Sequence, residues 1–503
     1  PNETVILTVG QINATGYIAD PLRVSSVVVN EASPYAVFEV TGSSGQTASL
    51  AFANGATNPA TGGGTDYGSV VQVSIDGGLT WNNYTSGTVT LNSAGKLLVR
   101  TAIVNDGVAD NNETFTLTAT GSGGGSTTGT ATIKDDGTGT IFKNDGTDDT
   151  TAVRDDDRAL AVNSITVNEA SPYAVFEVTG AVDQLTKLAL AAGNVPLATG
   201  GGTDYSSASG TGLQYLVGST WTDYTANANV SLGSTGKLLV RTAIVNDTIA
   251  DNSETFKLNA TNISGSTASG LATIKDDGTG TIFKDDGTND ANALRDDDRA
   301  VTVTGTTVNE ASSYVVFTVT GLGGQLVQLS LTESGSGNGH ALVGIDTGLA
   351  SQLEYLDGST WKSYTGGYVT LPGSGAASLL VRVAVKNDAL NEGAETLKLI
   401  ASTTGVSSNG LSTIKDDGTG DQVTFDGTSG LPSYTSGPGA TFDDDRPLTI
   451  ADITVAESGG YAVFDVNAFG GQYVKLALTA GSAAVTADFG PALEYKNSSN
   501  QWV

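Results

Sequence analysis

Along much of the chain, apolar and polar positions alternate with a period of two. In Phe115-Thr116-Leu117-Thr118-Ala119 each apolar residue has threonine for a neighbour, and Val37 to Val40 and Leu97 to Val104 are short β-rich runs. Clusters of Gly, Asn, Asp and Ser separate these runs, which marks strands joined by turns. No segment carries a convincing amphipathic helical period. The pattern predicts antiparallel sandwiches.

The same pattern recurs. VNEASPYAVFEVTG starts at Val29 and again at Val167, with diverged copies at Val308 and Val455. LLVRTAIVND at Leu97 recurs at Leu238 and, altered, at Leu379; ATIKDDGTG at Ala131 recurs at Ala272 and, altered, at Ser412. The period, taken from Glu113 to Glu254 to Glu395, is 141 residues each time. That is too long for a solenoid unit, so each repeat is expected to be a folded domain of about seven or eight strands. The boundaries are 1–20 for the tail of a preceding repeat, 21–158, 159–299 and 300–446 for three full repeats, and 447–503 for the amino-terminal part of a fourth. Trp502 matches Trp81, Trp221 and Trp361, and Asn2-Glu3-Thr4 matches Asn112-Glu113-Thr114. Both ends therefore look cut from a longer array. From Glu3 to Glu31 is half the span from Glu113 to Glu169. The stretch from Asp136 to Arg158 is accordingly an insertion, a hairpin or loop at the junction between repeats.

Composition narrows the function. The chain has 53 acidic and 23 basic residues, a net charge of −30, one histidine and no cysteine. Such a charge repels a phosphate backbone, so nucleic acid is excluded as a partner. No apolar run reaches the length of a membrane span. Without cysteine there is no disulfide, thiolate metal site or thiol nucleophile. With His340 alone, a triad or a histidine-rich zinc site is possible at most once.

The acidic residues sit at strand ends. In the first repeat Glu31 ends a strand, Asp66 lies in Gly-Gly-Gly-Thr-Asp-Tyr, Asp106 follows a strand, Asp110 and Glu113 start the next, and Asp135 and Asp136 end the last. Loops at one end of a sandwich converge, which brings Glu31, Asp106, Asp110, Glu113 and Asp135 together. Gathered carboxylates repel unless a cation binds, and oxygen ligands without His or Cys select calcium. A surface Asp in a β-protein also caps turns or aids solubility, and an isolated Asp-Gly reads as a turn. The recurrence of the whole set favours calcium. NDGTDD lacks the closing Glu of an EF-hand.

The order Val-x-Glu, Gly-Thr-Asp-Tyr, Asp-x-x-x-Asp-x-x-Glu-Thr-Phe and Ile-x-Asp-Asp resembles Calx-beta domains, the calcium-binding immunoglobulin-like sandwiches of sodium–calcium exchangers, integrin β4 and long bacterial surface proteins. The resemblance covers nearly the whole chain and implies an all-β fold of tandem immunoglobulin-like antiparallel β-sandwich domains forming an extended rod. It implies calcium ligands at Glu31, Asp66, Asp106, Asp110, Glu113, Asp135 and Asp136 in the first repeat. In the second these are Glu169, Asp204, Asp247, Asp251, Glu254, Asp276 and Asp277, and in the third Glu310, Asp346, Asp388, Glu392, Glu395, Asp416 and Asp417. The partial repeat supplies Glu457 and Asp488. In the third repeat Asp346 is followed by Thr347 rather than Tyr, a departure from the family's pattern. The triple-Asp stretches lie outside the family pattern and are added as junction ligands: Asp155, Asp156 and Asp157; Asp296, Asp297 and Asp298; Asp443, Asp444 and Asp445.

Other chemistry recedes. Each Trp reads as packing on the sandwich rather than as a sugar platform. Identical acidic sets in every repeat suit a structural ion better than a glycosidase pair. His340 reads as an exposed loop residue, and the glycine runs lack the Lys-Ser/Thr of a phosphate loop. Arg154 and Arg158 flank the triple Asp and are expected to pin the inserted lobe to the next repeat. The expectation is a non-enzymatic, secreted surface or matrix protein of bacteria. Its partners are calcium and copies of itself or neighbouring repeats, in a calcium-stiffened filament or surface assembly. A non-assembling adhesin stalk is the alternative, and a carbohydrate-binding module the weaker one.

Overall fold

A computed structural model of the chain describes residues 3–18, 20–206, 211–439 and 441–503. Of the expected tail 1–20, residues 1, 2 and 19 lie outside the described residues. The described part of that tail is an antiparallel hairpin, β1 (Glu3–Val9) against β2 (Ile12–Ile18).

The first repeat holds ten strands: β3 (Arg23–Val24), β4 (Val27–Asn30), β5 (Tyr35–Thr41), β6 (Thr47–Asn54), β7 (Val71–Ser74), β8 (Asn82–Tyr84), β9 (Val89–Thr90), β10 (Lys96–Ala102), β11 (Glu113–Gly121) and β12 (Ser126–Lys134). They form two five-stranded sheets, ordered β3-β5-β10-β7-β8 and β4-β12-β11-β6-β9. The strand number exceeds the expected seven or eight because β3 and β9 are two-residue edge pieces.

Among the strand pairs of the first repeat, one departs from the expected antiparallel scheme. β4 runs parallel to β12, with Asn30 opposite Lys134. The cause is a break at Ser25-Ser26 that carries the first strand from one sheet to the other. Ser25 Oγ accepts the Glu39 N–H and Ser26 Oγ the Thr130 N–H, so the backbone groups freed at the break are satisfied. Gly129 faces this crossing, where a Cβ would lie 2.1 Å from the Ser25 carbonyl oxygen. A side chain there would separate β12 from the crossing segment.

The period-two pattern puts Phe38, Val99, Phe115, Leu117 and Ala119 fully between the sheets. Tyr67 stacks on Phe115 at 4.2 Å between ring centroids. Burying one such aromatic contributes about 1.5–3 kcal/mol. The second and third repeats build separate cores in the same way, around Phe176 and Phe256 and around Phe317 and Leu397. In the third, Asp421–Phe425 and Pro432–Ser436 extend one sheet to seven strands.

The inserted lobe folds back over its own sandwich. Thr140 pairs in parallel with Val29, and Arg100 donates to the Asn144 carbonyl at 2.6 Å. Arg100 is held between Tyr35 at 3.7 Å and Trp81 at 4.1 Å. Trp81 thus packs on a buried arginine, Trp221 does the same with Arg241, and Trp361 packs on the half-buried Arg382. In residues 447–503 the described strands are Thr449–Ile450 and Val466–Asn467, and the large apolar side chains, Tyr461 and Phe464 among them, are exposed. This segment has no counterpart of β10 to β12, so no second sheet covers its apolar face. His340 is half-buried rather than exposed; its Nδ1 lies 2.6 Å from Ser334 Oγ.

The chain divides into two compact units. One comprises Pro1–Asn246, Ser253–Ile274 and Thr281–Asn292; the other comprises Asp247–Asn252, Lys275–Gly280 and Ala293–Val503. Among the described residues no helix is long and apolar enough to cross a membrane.

Candidate metal centre

The parallel register of β4 and β12 builds the site. Asn30 and Lys134 are partners, so the residues that follow them, Glu31 and Asp135, emerge side by side; the Glu31 N–H donates to the Lys134 carbonyl at 2.8 Å. The loop from β10 to β11 brings Asp110, the first residue of β11 is Glu113, and the loop from β6 to β7 brings Asp66. The inserted lobe ends by laying the triple Asp antiparallel to Asp135–Gly137. Asp157 N–H donates to the Asp135 carbonyl at 2.9 Å, and Gly137 N–H to the Asp155 carbonyl at 2.8 Å.

Three sets of carboxylate oxygens converge, each within 4.8 Å: Glu31 with Asp155 and Asp157, Glu31 with Asp110 and Asp135, and Asp66 with Asp110 and Glu113. Glu31 and Asp110 are each shared by two sets. Glu31, Asp135, Asp155 and Asp157 are all at least nine-tenths buried. Glu31 Oε2, Asp155 Oδ2 and both carboxylate oxygens of Asp135 and Asp157 are buried without a hydrogen-bond partner. Buried carboxylates in this state are costly to ionise. Burial, with the charges of Asp106, Asp110 and Asp155, pushes Glu31 up to about 8. Burial and the neighbouring Asp110 and Asp66 push Glu113 up to about 7, and burial and Asp157 push Asp155 to about 6.

The alternate carboxylates are committed elsewhere. Asp136 pairs with Asp156 across the short antiparallel bridge. Arg158 donates to Asp156 through Nε at 2.8 Å and Nη2 at 2.5 Å. Asp136 accepts from Asn111 at 2.8 Å and lies 3.5 Å from Lys134 Nζ. Burial works against its charge, but the hydrogen bonds of Thr138 and Asn111 outweigh it and hold Asp136 below the usual range. Asp106 is exposed; its N–H donates to Glu31 Oε1 at 3.0 Å, and its carboxylate accepts the Val108 N–H. Arg154 donates to the Gly139 carbonyl and so stays within its own lobe.

The third repeat gathers Glu310, Asp346, Glu392, Glu395 and Asp416 around one small cavity. Asp346 belongs to this group despite the Thr347 that follows it. Burial with Asp346 and Glu392 pushes Glu395 up to about 7, and burial with Asp443 and Asp388 pushes Glu310 to about 7. Asp388 repeats the role of Asp106, its N–H donating to Glu310 at 3.1 Å. Arg446 pairs with Asp444, and Asp417 accepts from the Thr419 N–H and hydroxyl. Asp443 Oδ2 and Asp445 Oδ2 are buried without a partner.

The second repeat's candidates fall in both units. Glu169, Asp204 and Glu254 belong to the first; Asp247, Asp251, Asp276, Asp277, Asp296, Asp297 and Asp298 belong to the second. Within the second unit Asp276 and Asp298 are almost wholly buried, with both carboxylate oxygens of each lacking a partner. Burial and Asp296 push Asp298 up to about 7. Arg299 pairs with Asp297 and Asn252 donates to Asp277. In the fourth repeat Glu457 and Asp488 are exposed, and the Asp488 carboxylate accepts the Ala484 N–H.

Sequence reasoning passed over two residues, one at this end of each repeat and one at the end that meets the preceding linker. Asn30 is fully buried; its amide donates to the Lys134, Thr138 and Asp155 carbonyls and accepts the Asp155 N–H. Asn309 makes the same bonds to Lys415, Thr419 and Asp443. The signal was present as the Asn before each Glu in Val-Asn-Glu. The other is a glutamine eight residues after the core Phe in every repeat: Gln46, Gln184, Gln325 and Gln472.

Chemically, the site offers only hard oxygen donors at high density, which suits a divalent cation of calcium's type, with six to eight oxygens at about 2.3–2.6 Å. No family model and no curated protein matches the chain. Among solved structures, it is similar to a tetra-tandem repeat in the extending region of a large adhesion protein, at 13% identity and a TM-score of 0.26, over 86% of this chain and 94% of that one. It is also similar to extracellular cadherin domains 1–4 of protocadherin gamma B7, at 10% identity and a TM-score of 0.27, over 82% and 83%. A third is the D00–D0 domain of intimin, at 11% identity and a TM-score of 0.22, over 51% and 100%. The likeness to Calx-beta domains therefore rests on the sequence motifs.

Proposed function

We propose that this chain is a structural repeat protein of the bacterial surface or extracellular matrix whose repeats are set by calcium. One observation carries the reading: the buried carboxylate oxygens left without a hydrogen-bond partner, Glu31 Oε2, Asp155 Oδ2 and both oxygens of Asp135 and Asp157, with Asp110 beside them. A divalent ion supplies the positive charge that Arg158 and Lys134, committed to Asp156 and Asp136, do not. Glu31 and Asp110, each shared by two oxygen sets, would be held in common by neighbouring ions. The ligands are Glu31, Asp66, Asp110, Glu113, Asp135, Asp155 and Asp157 and their equivalents. Asp136 and Asp156 act as structural partners. Calcium bound there locks the inserted lobe, and with it the linker to the next repeat. The array then stiffens into a rod that assembles as a filament or surface layer; an unassembled stalk is the second reading.

Calorimetric titration of the chelated chain with calcium chloride tests the reading, followed by sedimentation. Saturable binding of several ions with a rise in melting temperature supports it. No heat and no shift at millimolar calcium overturns it. Growth of the sedimenting species with concentration in calcium marks a filament, and a constant monomer marks a stalk.

A further inference from the structure

The linker between repeats is used from both faces. Asp155 and Asp157 turn to the carboxylate cluster of the first repeat, whereas Asp156 turns to Arg158 and toward the second repeat. There it meets Gln184, which is only 1% exposed. Gln184 Nε2 donates to the Arg158 carbonyl at 2.5 Å and lies 3.5 Å from Asp156 Oδ1. Its Oε1 accepts the Ala181 N–H at 2.9 Å. Asn262, on the loop at the same end of the second repeat, adds a longer bond to the Arg158 carbonyl, 3.4 Å.

The arrangement recurs. Gln325 is fully buried; Nε2 donates to the Arg299 carbonyl at 2.8 Å and to Asp297 at 3.3 Å, while Oε1 accepts the Leu322 N–H. Thr403 Oγ1 donates to the Asp297 carbonyl at 2.7 Å. Beside it Gly405 approaches so closely that a Cβ would lie 1.8 Å from Asp298 Oδ1. Gln472 Nε2 donates to the Arg446 carbonyl at 2.7 Å, and Oε1 accepts the Phe469 N–H.

We propose that the amino-terminal ends of the second, third and fourth repeats are sockets for the preceding Asp-Asp-Asp-Arg linker, and that Gln184, Gln325 and Gln472 are the positioning residues. An amide is needed because one end must accept from the residue's own turn while the other donates to the linker carbonyl. A carboxylate would oppose both that carbonyl and the middle aspartate. A buried donor lost here leaves the linker carbonyl unpaired. The division of labour is then clear: the carboxylate cluster ties the linker to the repeat before it, and the glutamine ties it to the repeat after it. The socket does not rest on the calcium reading, since its bonds are made by protein groups alone.

The test uses the full chain. With no native cysteine, L79C and V195C place two spin labels, one on each of the first two repeats, at positions 83% and 88% exposed. Double electron–electron resonance then reads the distance distribution with and without calcium, in the parent and in Gln184→Glu and Gln184→Met. Where a short linker alone holds two domains, relative motion is the default, so both variants are expected to broaden the distribution by roughly twofold. The calcium stoichiometry is expected to stay as in the parent. Gln184→Met, neutral and of similar length, covers the case in which the added charge disturbs folding. Distributions that superimpose on the parent in both variants overturn the proposal, as does a parent already as broad as they are. A parent that binds no calcium yet is narrowed by Gln184 fails the calcium reading and keeps the socket.

Discussion

The first and third repeats carry the same carboxylate ends, but the backbone supports one of the acids to different degrees. In the first, Asp135 is 1% exposed and neither carboxylate oxygen makes a hydrogen bond of normal geometry, although the Asp110 backbone N–H lies close enough to favour its charge. In the third, the equivalent Asp416 accepts the Glu392 N–H at 2.6 Å and the Gly393 N–H at 3.1 Å. The difference follows from the loop before the strand. The first repeat reads Asp110-Asn111-Asn112-Glu113, and Asn111 spends its amide on Asp136. The third reads Glu392-Gly393-Ala394-Glu395, and its backbone turns inward to cap Asp416. The backbone supports the Asp416 carboxylate more fully than that of Asp135. Equal sequence positions therefore need not mean equal dependence on an ion.

The largest expected effect is that of calcium. An ion at a hundredfold its dissociation constant adds about 2.7 kcal/mol per site, so filling the three oxygen sets of the first repeat would add about 8 kcal/mol. Scanning calorimetry in chelator and in calcium should show the first unit's transition moving further than the second's. Equal shifts would break the comparison.

Next in size is the pH response. Glu31, Glu113 and Asp155 in the first repeat, and Glu310 and Glu395 in the third, have folded values raised to between about 6 and 8. A raised carboxyl binds its proton more tightly in the folded state, so its contribution is present at low pH and lost as pH rises through the folded value. The chelated protein should thus melt lower at pH 8.5 than at pH 5. With calcium the slope should reverse, because the ion needs ionised ligands. A chelated protein that melts higher at pH 8.5 would contradict the burial of these acids.

The hub asparagines should behave alike. Asn30→Ala and Asn309→Ala each leave several buried backbone groups unpaired and should cost about 2–3 kcal/mol in urea unfolding, with or without calcium. A loss seen only in calcium would make these residues part of the cation site rather than of the frame.

Much of this was legible in the sequence, and the gaps have physical causes. The alternation in Phe115 to Ala119 gives β11 directly, and the recurrence of Glu31, Asp110 and Asp135 marks the end of the sandwich where acids gather. The parallel pairing of β4 with β12 leaves no trace in a period-two pattern, because period fixes the face and not the partner. For the same reason Asp135 and Asp136, or Asp156 and Asp157, look equivalent in sequence. Only the bridge of Asp136 to Asp156 puts one pair toward Lys134 and Arg158 and the other toward Glu31. Gln184 escaped notice because an isolated polar residue in a turn has no chemistry until the linker carbonyl is set against it.

The smallest effect discriminates best. In chelator, Asp135→Asn removes a buried charge that burial and the neighbouring Asp110 and Asp157 hold above the usual carboxylate range. Relief of that repulsion should stabilise the apo protein by about 1 kcal/mol. Asp416→Asn instead weakens two bonds in which a charged acceptor faces backbone donors, and should destabilise by about 1 kcal/mol. In calcium both variants should lose affinity, since each removes an anionic oxygen from the ion. Opposite signs in chelator with a shared loss in calcium would show that the two repeats reach one site chemistry from different apo states. The same sign in chelator would mean that the backbone cap on Asp416 does not offset its charge, and the contrast between the repeats would collapse to geometry alone.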